Sequence, residues 1–471
     1  MSKKISVDVA IIGAGTAGLY ALREVKRANR SFVLIDSGPL GTTCARVGCM
    51  PSKVALHAAG LWRMRAEHAG FGISGTGQLS IDTNRTWSRV RSMRDSFAAR
   101  GTESAAKGAG EHLLHGRAEF VEPTLLRVAT ESGEQLVRAA AVVIATGSRP
   151  VVPAFLDPFA EHCLTTDELF EQETLPRRLG VLGLGAIGLE MGLAMARLGV
   201  EVVAADMAPG IAGIADPEVG RYALEAFRGE IQMHLGAPAQ LAAAEQGVLL
   251  RTGSGDVGVD KVLVALGRRP NIDGLNLAEA GFVLDEHGML KYDSQTMQVE
   301  GCPVFIAGDA NAERTLMHEA AEEGAMAGYN AARGVQQAFR RKVPLTIAFT
   351  QPDIVAVGQR LDQLDAERIL IGSATTAANG RSRILGGGDG LLRIYADRDS
   401  GHLLGAAMVG SRGEHVAQLL AVAVQQGMTV QQLLQGPYYH PVVEELIQSA
   451  LQDIARQLPQ SGLPLGLQTL P

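Results

Sequence analysis

Two short glycine runs set the strongest limit on what this chain can fold into. The first, Gly13-Ala14-Gly15-Thr16-Ala17-Gly18, follows an apolar stretch from Val7 to Ile12. It precedes a helical pattern from Leu19 to Asn29 and a second strand over Phe32 to Ile35. A lone G-x-G-x-x-G is weak evidence, but between a strand and a helix it marks a dinucleotide fingerprint. A pyrophosphate needs bare backbone N–H groups at a helix N-terminus, and a side chain there would hold it off. Asp36 ends the next strand 18 residues after Gly18, where its carboxylate can accept from adenosine ribose hydroxyls. The second run, Gly183-Leu184-Gly185-Ala186-Ile187-Gly188, sits between a strand at Gly180 to Leu182 and a helix from Leu189 to about Leu198. A strand over Val200 to Ala205 follows, and Asp206 closes it, again 18 residues after the last glycine. An acid here favours NAD by repelling a 2′-phosphate, and no Arg occurs from Val202 to Ile211. A plain turn aspartate is the other reading of Asp206. Val262 to Gly267 echoes Val142 to Gly147, so the chain reads as two copies of one dinucleotide-binding architecture. Two nucleotides on one chain are most simply explained by electron transfer between them.

A length of 471 residues exceeds one ordinary core and points to roughly two to four domains. The net charge of -7 and the lack of a basic run argue against nucleic acid as a partner. No apolar run is long enough to span a bilayer. Met1-Ser2-Lys3-Lys4 faintly mimics a signal peptide, but Val7 to Ile12 is too short and runs into glycines, so it reads as a buried strand. Residues 53 to 115 read as mostly helical, and Ala118 to Ile144 as strands with a hairpin tip at Glu131 to Glu134. Pro150 and Pro153 mark a junction. The block 344–471 alternates strands (Leu345 to Thr350, Leu392 to Ala396, Leu403 to Val409) with helices (His415 to Gln426, Glu444 to Gln457) and closes in an aperiodic tail from Leu458.

Four cysteines are no secreted disulfide framework: Cys44 and Cys49 are close together, whereas Cys163 and Cys302 are isolated. On a regular helix Cys44 and Cys49 would point about 140° apart, so bridging them needs a distorted turn, which Gly48 and Pro51 can supply. Metal binding would want more ligands, with His57 the only near candidate, and two buried structural thiols are the plainest alternative. The adjacent nucleotide motif favours redox chemistry, and no metal is expected. Thiol chemistry needs a base. Among 11 histidines, His440 stands out because Glu445 follows closely and Pro441 fixes the turn; a histidine near a helix cap is the competing reading.

With these residues in place, the chain resembles the pyridine nucleotide–disulfide oxidoreductases, and within them the dihydrolipoyl dehydrogenases. The resemblance covers nearly the whole chain. It rests on both fingerprints, Cys44-Ala-Arg-Val-Gly-Cys49-Met-Pro-Ser-Lys53, Ala145-Thr146-Gly147, Gly267-Arg268-Arg269-Pro270-Asn271, Ala307-Gly308-Asp309-Ala310 and His440-Pro441-x-x-x-Glu445. It implies an α/β fold with two Rossmann-like FAD- and NAD-binding domains and a C-terminal α+β dimerisation domain. The expected boundaries are 1–150 for FAD with the redox disulfide, 151–270 for NAD, 271–343 for the central FAD part and 344–471 for the interface. Gly13, Gly15, Gly18 and Asp36 would hold the ADP half of FAD, with Thr146 and Gly147 in the same site. Asp309 would bond the ribityl chain, and the backbone around His318 would lie near the flavin pyrimidine. Lys53 would sit near the flavin N5 and pair with Glu190. Gly183, Gly185, Gly188 and Asp206 would bind NAD, with Gly267 nearby. Cys44 would exchange with substrate, Cys49 would face the flavin, and His440, oriented by Glu445, would reach them across a two-fold homodimer interface.

The implied reaction oxidises a small dithiol such as dihydrolipoamide, free or on a carrier protein of a larger complex, in a cytoplasmic enzyme. The chain departs from the family pattern at several points. Asp36 stands where Glu is frequent, Ala45-Arg46 replaces Leu-Asn, Tyr438-Tyr439-His440 replaces His-x-His, and Val442 replaces Thr. These changes bear on the substrate more than on the disulfide chemistry. A reductase of another disulfide or electrophile, or a flavoprotein serving mainly as a scaffold subunit, are the alternatives.

Overall fold

A computed structural model describes residues 3–253, 255–386, 388–458 and 466–467. Most of the tail read as aperiodic from Leu458 lies outside the described residues. The chain divides into two compact units, Met1–Pro51 with Arg89–Val151 and Gly267–Arg341, and Ser52–Ser88 with Val152–Leu266 and Lys342–Pro471.

The first unit is built on a seven-stranded sheet. Strand β1 (Lys3–Ile12) pairs in parallel with β2 (Phe32–Asp36) on one side and with Gly133–Ile144 on the other. Alternate residues of β1 are buried on opposite faces. Val9 and Ile11 join one apolar cluster with Leu34 and Val143, while Ala10 and Ile12 join another with Val33 and Val142. This two-sided burial explains the unbroken apolar run from Val9 to Ile12 before the first fingerprint. Helix α1 (Thr16–Arg27) packs against the helix Met317–Arg333 at backbone distance: a Cβ on Gly324 would stand 2.1 Å from the Ala17 carbonyl oxygen. The hairpin read around residues 131–134 joins Leu125–Thr130 to Gly133–Ile144.

The second unit repeats the pattern. Arg178–Leu182 pairs in parallel with Glu201–Asp206 and with Lys261–Val264 in a five-stranded sheet, with a three-stranded antiparallel sheet beside it in sequence. Lys342 onward forms a five-stranded antiparallel sheet from Leu345–Ala348, Asp353–Gly358, Leu403–Gly410, Leu391–Asp397 and Ile369–Thr375 in spatial order, with the helices Gly413–Gln425 and Glu445–Ala455 sharing its core. Both fingerprint helices start earlier than the sequence reading placed them, at Thr16 and Ala186. The last glycine of each fingerprint therefore lies in the first helical turn, because Gly15 and Gly185 are the N-caps. No helix of the described residues is long and apolar enough to cross a membrane.

Candidate active site

At the first fingerprint, Gly13 has φ +108, and its N–H donates to the Ile35 carbonyl at 2.7 Å. A Cβ on Gly13 would meet the Ala145 carbonyl oxygen at 2.2 Å, and one on Gly18 would meet the Gly13 carbonyl oxygen at 1.8 Å. These two glycines are required by the fold itself. Gly15 differs: its φ is -75, open to any residue, and a Cβ there would touch nothing within 4 Å. Nothing in the fold needs a bare backbone at this N-cap, whereas an anion approaching the first-turn N–H groups does. Asp36 braces the loop, accepting from the Ala14 N–H at 2.6 Å and the Gly38 N–H at 2.6 Å. A carboxylate has about four acceptor sites, so capacity remains for a ribose hydroxyl.

A cleft of about 680 Å³ opens here, lined among others by Gly13, Asp36, Arg117, Thr146, Arg149 and Asp273. That volume suits a cofactor-sized ligand. The Thr146 hydroxyl is buried without a hydrogen-bond partner among the described residues, which is costly unless a ligand or water satisfies it. Gly147 has φ +69, a Cβ on it would meet nothing within 4 Å, and its carbonyl accepts from the Asn271 N–H at 2.9 Å. Arg149 is ion-paired to Asp273 and donates to Asn271 Oδ1 at 2.7 Å; the guanidinium holds the Asp273 carboxyl below the usual carboxylate range. Asp309 accepts from Ser148 Oγ at 2.6 Å, and Arg268 Nε donates to the same Oγ at 2.8 Å. His318 is exposed in the first turn of Met317–Arg333. Arg117, Ser148 and Arg149 were not singled out from the sequence, since no short-range spacing ties them to the fingerprint. The bare, open N-cap and the orphaned Thr146 hydroxyl fit FAD in this unit.

The second fingerprint has the same geometry. Gly183 has φ +91 and a Cβ on it would meet the Ala265 carbonyl oxygen at 2.4 Å; one on Gly188 would meet the Gly183 carbonyl oxygen at 1.9 Å. Gly185, at φ -60, again has open space around its missing Cβ. Asp206 accepts from the Leu184 N–H at 2.5 Å and the Ala208 N–H at 2.8 Å, the same bracing that Asp36 gives. Gly267 belongs to the first unit, with φ +98 and its carbonyl accepting from the Val151 N–H at 3.0 Å.

The cysteine segment is broken, as a shared turn requires. Cys44 is half-buried in α2 (Thr43–Val47), and Cys49 is the exposed first residue of α3 (Cys49–Arg63). The break is Gly48, at φ -126 and ψ -114, where a Cβ would press on the Thr43 carbonyl oxygen at 3.2 Å and Cys44 Cα at 3.3 Å. Pro51 does not contribute to it. It sits in the first turn of α3, where no intrahelical N–H bond is lost. One turn beyond Cys49, Lys53 Nζ reaches the buried Glu190 at 2.7 and 2.9 Å. Phe349, which sequence reading missed, completes this pair. Its N–H donates to Glu190 Oε1 at 2.9 Å, and its ring lies 4.7 Å from Lys53 Nζ.

His440 and Glu445 belong to the second unit, Cys44 and Cys49 to the first. His440 Nδ1 stands 2.9 Å from Glu445 Oε1, and the Val442 N–H donates to Oε2 at 3.0 Å. The hydrogen bond from His440 holds the Glu445 carboxyl below its usual range. An ionised carboxylate only accepts, so Nδ1 carries the proton and Nε2 is the other ring nitrogen, not engaged by Glu445. Buried Asn379 fixes the loop by donating to the Val442 carbonyl at 3.0 Å. The His440 side chain is 78% exposed, and the neighbouring Tyr439 is 79% exposed. Among the described residues no group of three or more His, Cys, Asp or Glu could hold a metal ion.

Two glycine cradles at strand–helix turns, a two-cysteine segment and an antiparallel C-terminal sheet are the features of an α/β oxidoreductase. The chain belongs to the pyridine nucleotide–disulphide oxidoreductase family of flavoproteins. The family model matches residues 7–324, and the family's dimerisation-domain model matches residues 344–451. It is 31% identical to a dihydrolipoyl dehydrogenase of Thermus scotoductus, covering 96% of this chain and 98% of that one, and 30% identical to that of Pseudomonas aeruginosa over the same shares. Among solved structures, LpdA from Mycobacterium tuberculosis superposes with a TM-score of 0.83 at 24% identity over 96% of this chain and all of that one. The HOCl-induced flavoprotein disulfide reductase RclA from Escherichia coli, as its Cu(II) complex, gives 0.83 at 21% identity over 96% of this chain and 99% of that one. Those two likenesses concern the fold.

Proposed function

We propose that this protein is a dihydrolipoyl dehydrogenase-like enzyme that oxidises a dithiol through Cys44 and Cys49 and reduces NAD, acting as a homodimer. The observation that carries the reading is the helix break at Gly48. It ends the helix of Cys44 and starts that of Cys49, which carries Lys53 one turn further on. The proposed domains are 1–150 and 271–343 for FAD, 151–270 for NAD and 344–471 for dimerisation. The family's dimerisation model over 344–451 supports the homodimer, and the relatives' names support lipoamide as the substrate class.

FAD, held by the Gly13–Gly18 cradle, Asp36, Thr146 and Asp309, would supply the two-electron carrier between the thiol pair and the nicotinamide. The chain's residues do the rest. His440 Nε2 takes the proton of a substrate thiol. The thiolate attacks Cys44 Sγ of the oxidised pair, and Cys49 leaves as a thiolate. The second substrate thiol then displaces Cys44, so the dithiol is oxidised and both cysteines are reduced. The Gly185 N-cap and Asp206 seat NAD, and Glu190 holds Lys53 in place. The net reaction is dithiol plus NAD+ to cyclic disulfide, NADH and a proton.

The test is NADH formation from dihydrolipoamide by the flavin-loaded protein. Turnover should depend on NAD+ rather than NADP+ and vanish in Cys44→Ser and Cys49→Ser. Absence of turnover with intact flavin would overturn the lipoamide reading. A second reading, a reductase of a different disulfide, is favoured by one observation: the exposed Tyr439 beside His440 offers an aromatic surface. Turnover with NADH and an aromatic disulfide, exceeding that with lipoamide, would support it.

A further inference from the structure

The turn Gly308–Asn311, which carries Asp309, rests on a fully buried carboxylate. Glu323, on the helix Met317–Arg333, is 0% exposed. Its Oε2 accepts from the Gly308 N–H at 2.7 Å and from Asn311 Nδ2 at 2.7 Å, so one oxygen ties both ends of the four-residue turn. Its Oε1 receives Arg341 Nη2 at 2.5 Å. Arg341 Nη2 also donates to Glu319 Oε2 at 2.9 Å, and Arg314 Nη1 holds the other Glu319 oxygen at 3.1 Å. The turn also packs closely against its neighbours. Gly308 has φ +69, and a Cβ on it would press within 3.0 Å of Ala17 on the first fingerprint's helix and 3.2 Å of Ala320.

A carboxylate out of water is destabilising unless its partners compensate, and an apolar residue of similar size often serves a core equally well. Of its three donors, two belong to the Asp309 turn and the third is Arg341. On that turn, Asp309 Oδ2 is taken by Ser148, while Oδ1 accepts no bond among the described residues and is left for an outside hydroxyl.

We propose that Glu323, with Arg341 as its counter-charge, is a positioning residue for Asp309: it fixes the turn so that the aspartate meets a cofactor hydroxyl without having to be ordered on binding. This rests on the reading that Asp309 contacts FAD. Arg341 in turn holds the other oxygen of the Glu323 carboxylate.

The test is a double-mutant cycle on FAD affinity, measured by flavin fluorescence on apoprotein reconstituted with FAD, using Asp309→Ala, Glu323→Ala and the double variant. Glu323→Ala should weaken FAD binding about tenfold, and the double variant should bind no worse than Asp309→Ala alone, because both remove one contact. Additive losses, or a Glu323→Ala protein that melts earlier yet binds FAD like the wild type, would reduce Glu323 to a fold-stabilising residue and overturn the proposal. Should Glu323→Ala fail to fold, Glu323→Gln replaces it in the cycle. Its carbonyl keeps the two turn donors and its amide loses Arg341, so the same non-additivity is required with a smaller loss. If Asp309→Ala alone leaves FAD affinity unchanged, the assignment of Asp309 to FAD has failed, a result distinct from additivity.

Discussion

The side chain with the clearest division of labour is His440. Glu445 takes Nδ1, and the opposite nitrogen faces out from a loop pinned by Asn379. His440→Gln removes the proposed base and should lower kcat/KM for the dithiol by about 10²- to 10⁴-fold, the usual range for a positioned acid–base group. Glu445→Gln should lose less, since the ring remains. The pair also sets a pH dependence. The His440 hydrogen bond depresses the folded-state value of Glu445, so its contribution to stability is fully present above the unfolded value of about 4.3 and is lost as pH falls through the lower folded value. The gap in urea midpoint between the wild type and Glu445→Gln should be level above about pH 5 and close below about pH 4. A gap that stays level through the acid range would contradict the pairing. At this scale the sequence revealed motif residues and missed their supports. Glu190 was legible, but Phe349, which binds it from 159 positions away, leaves no local spacing to read. Glu323 escaped notice for a similar reason, since its partners Gly308, Asn311 and Arg341 lie 12 to 18 positions off.

At the level of elements, the two fingerprint helices make opposite demands on their glycines. Gly18 and Gly188 are packed against backbone, whereas Gly15 and Gly185 face open space at the N-cap. Gly15→Ala and Gly185→Ala should therefore fold with unchanged melting temperatures while losing FAD and NAD affinity, respectively. Gly18→Ala should unfold the first unit. Titration calorimetry with melting curves separates these outcomes, and a Gly15→Ala protein that binds FAD normally would mean the bare N-cap serves no ligand. Strand–turn–helix order was readable because period and glycine spacing agree locally. The helix starts were misplaced because a G-x-G-x-x-G looks like a turn throughout, although its last glycine is already helical. The strands Asp353–Gly358 and Ile369–Thr375 went unread. Short apolar runs such as Ile354 to Val357 carry no periodicity that separates a strand from a buried helical turn.

For the molecule as a whole, the helix Pro217–Phe227 and the C-terminal sheet of the second unit share one buried knot. Asp216, at 1% exposure, caps Pro217–Phe227 through the Glu218 and Val219 N–H groups. It also accepts Arg393 Nη1 at 2.8 and 2.9 Å and Tyr395 Oη at 2.7 Å. Burial and the Asp216 bond push the Tyr395 hydroxyl well above its ordinary range, so it stays a donor. Asp216→Ala strands the Arg393 charge and should cost about 3–5 kcal/mol in urea unfolding, whereas a loss under about 1 kcal/mol would mean the knot is solvated. Nothing in the sequence foretold this contact, because Arg393 and Tyr395 lie 177 and 179 positions from Asp216.

The most direct test of thiol chemistry coupled to nicotinamide is a mass-spectrometric count of alkylated cysteines in the flavin-loaded protein before and after anaerobic NADH. Cys44 and Cys49 should resist iodoacetamide beforehand and both take the label afterwards, with NADPH a poor substitute. Labelling that NADH leaves unchanged, in protein that retains its flavin, would contradict the central claim.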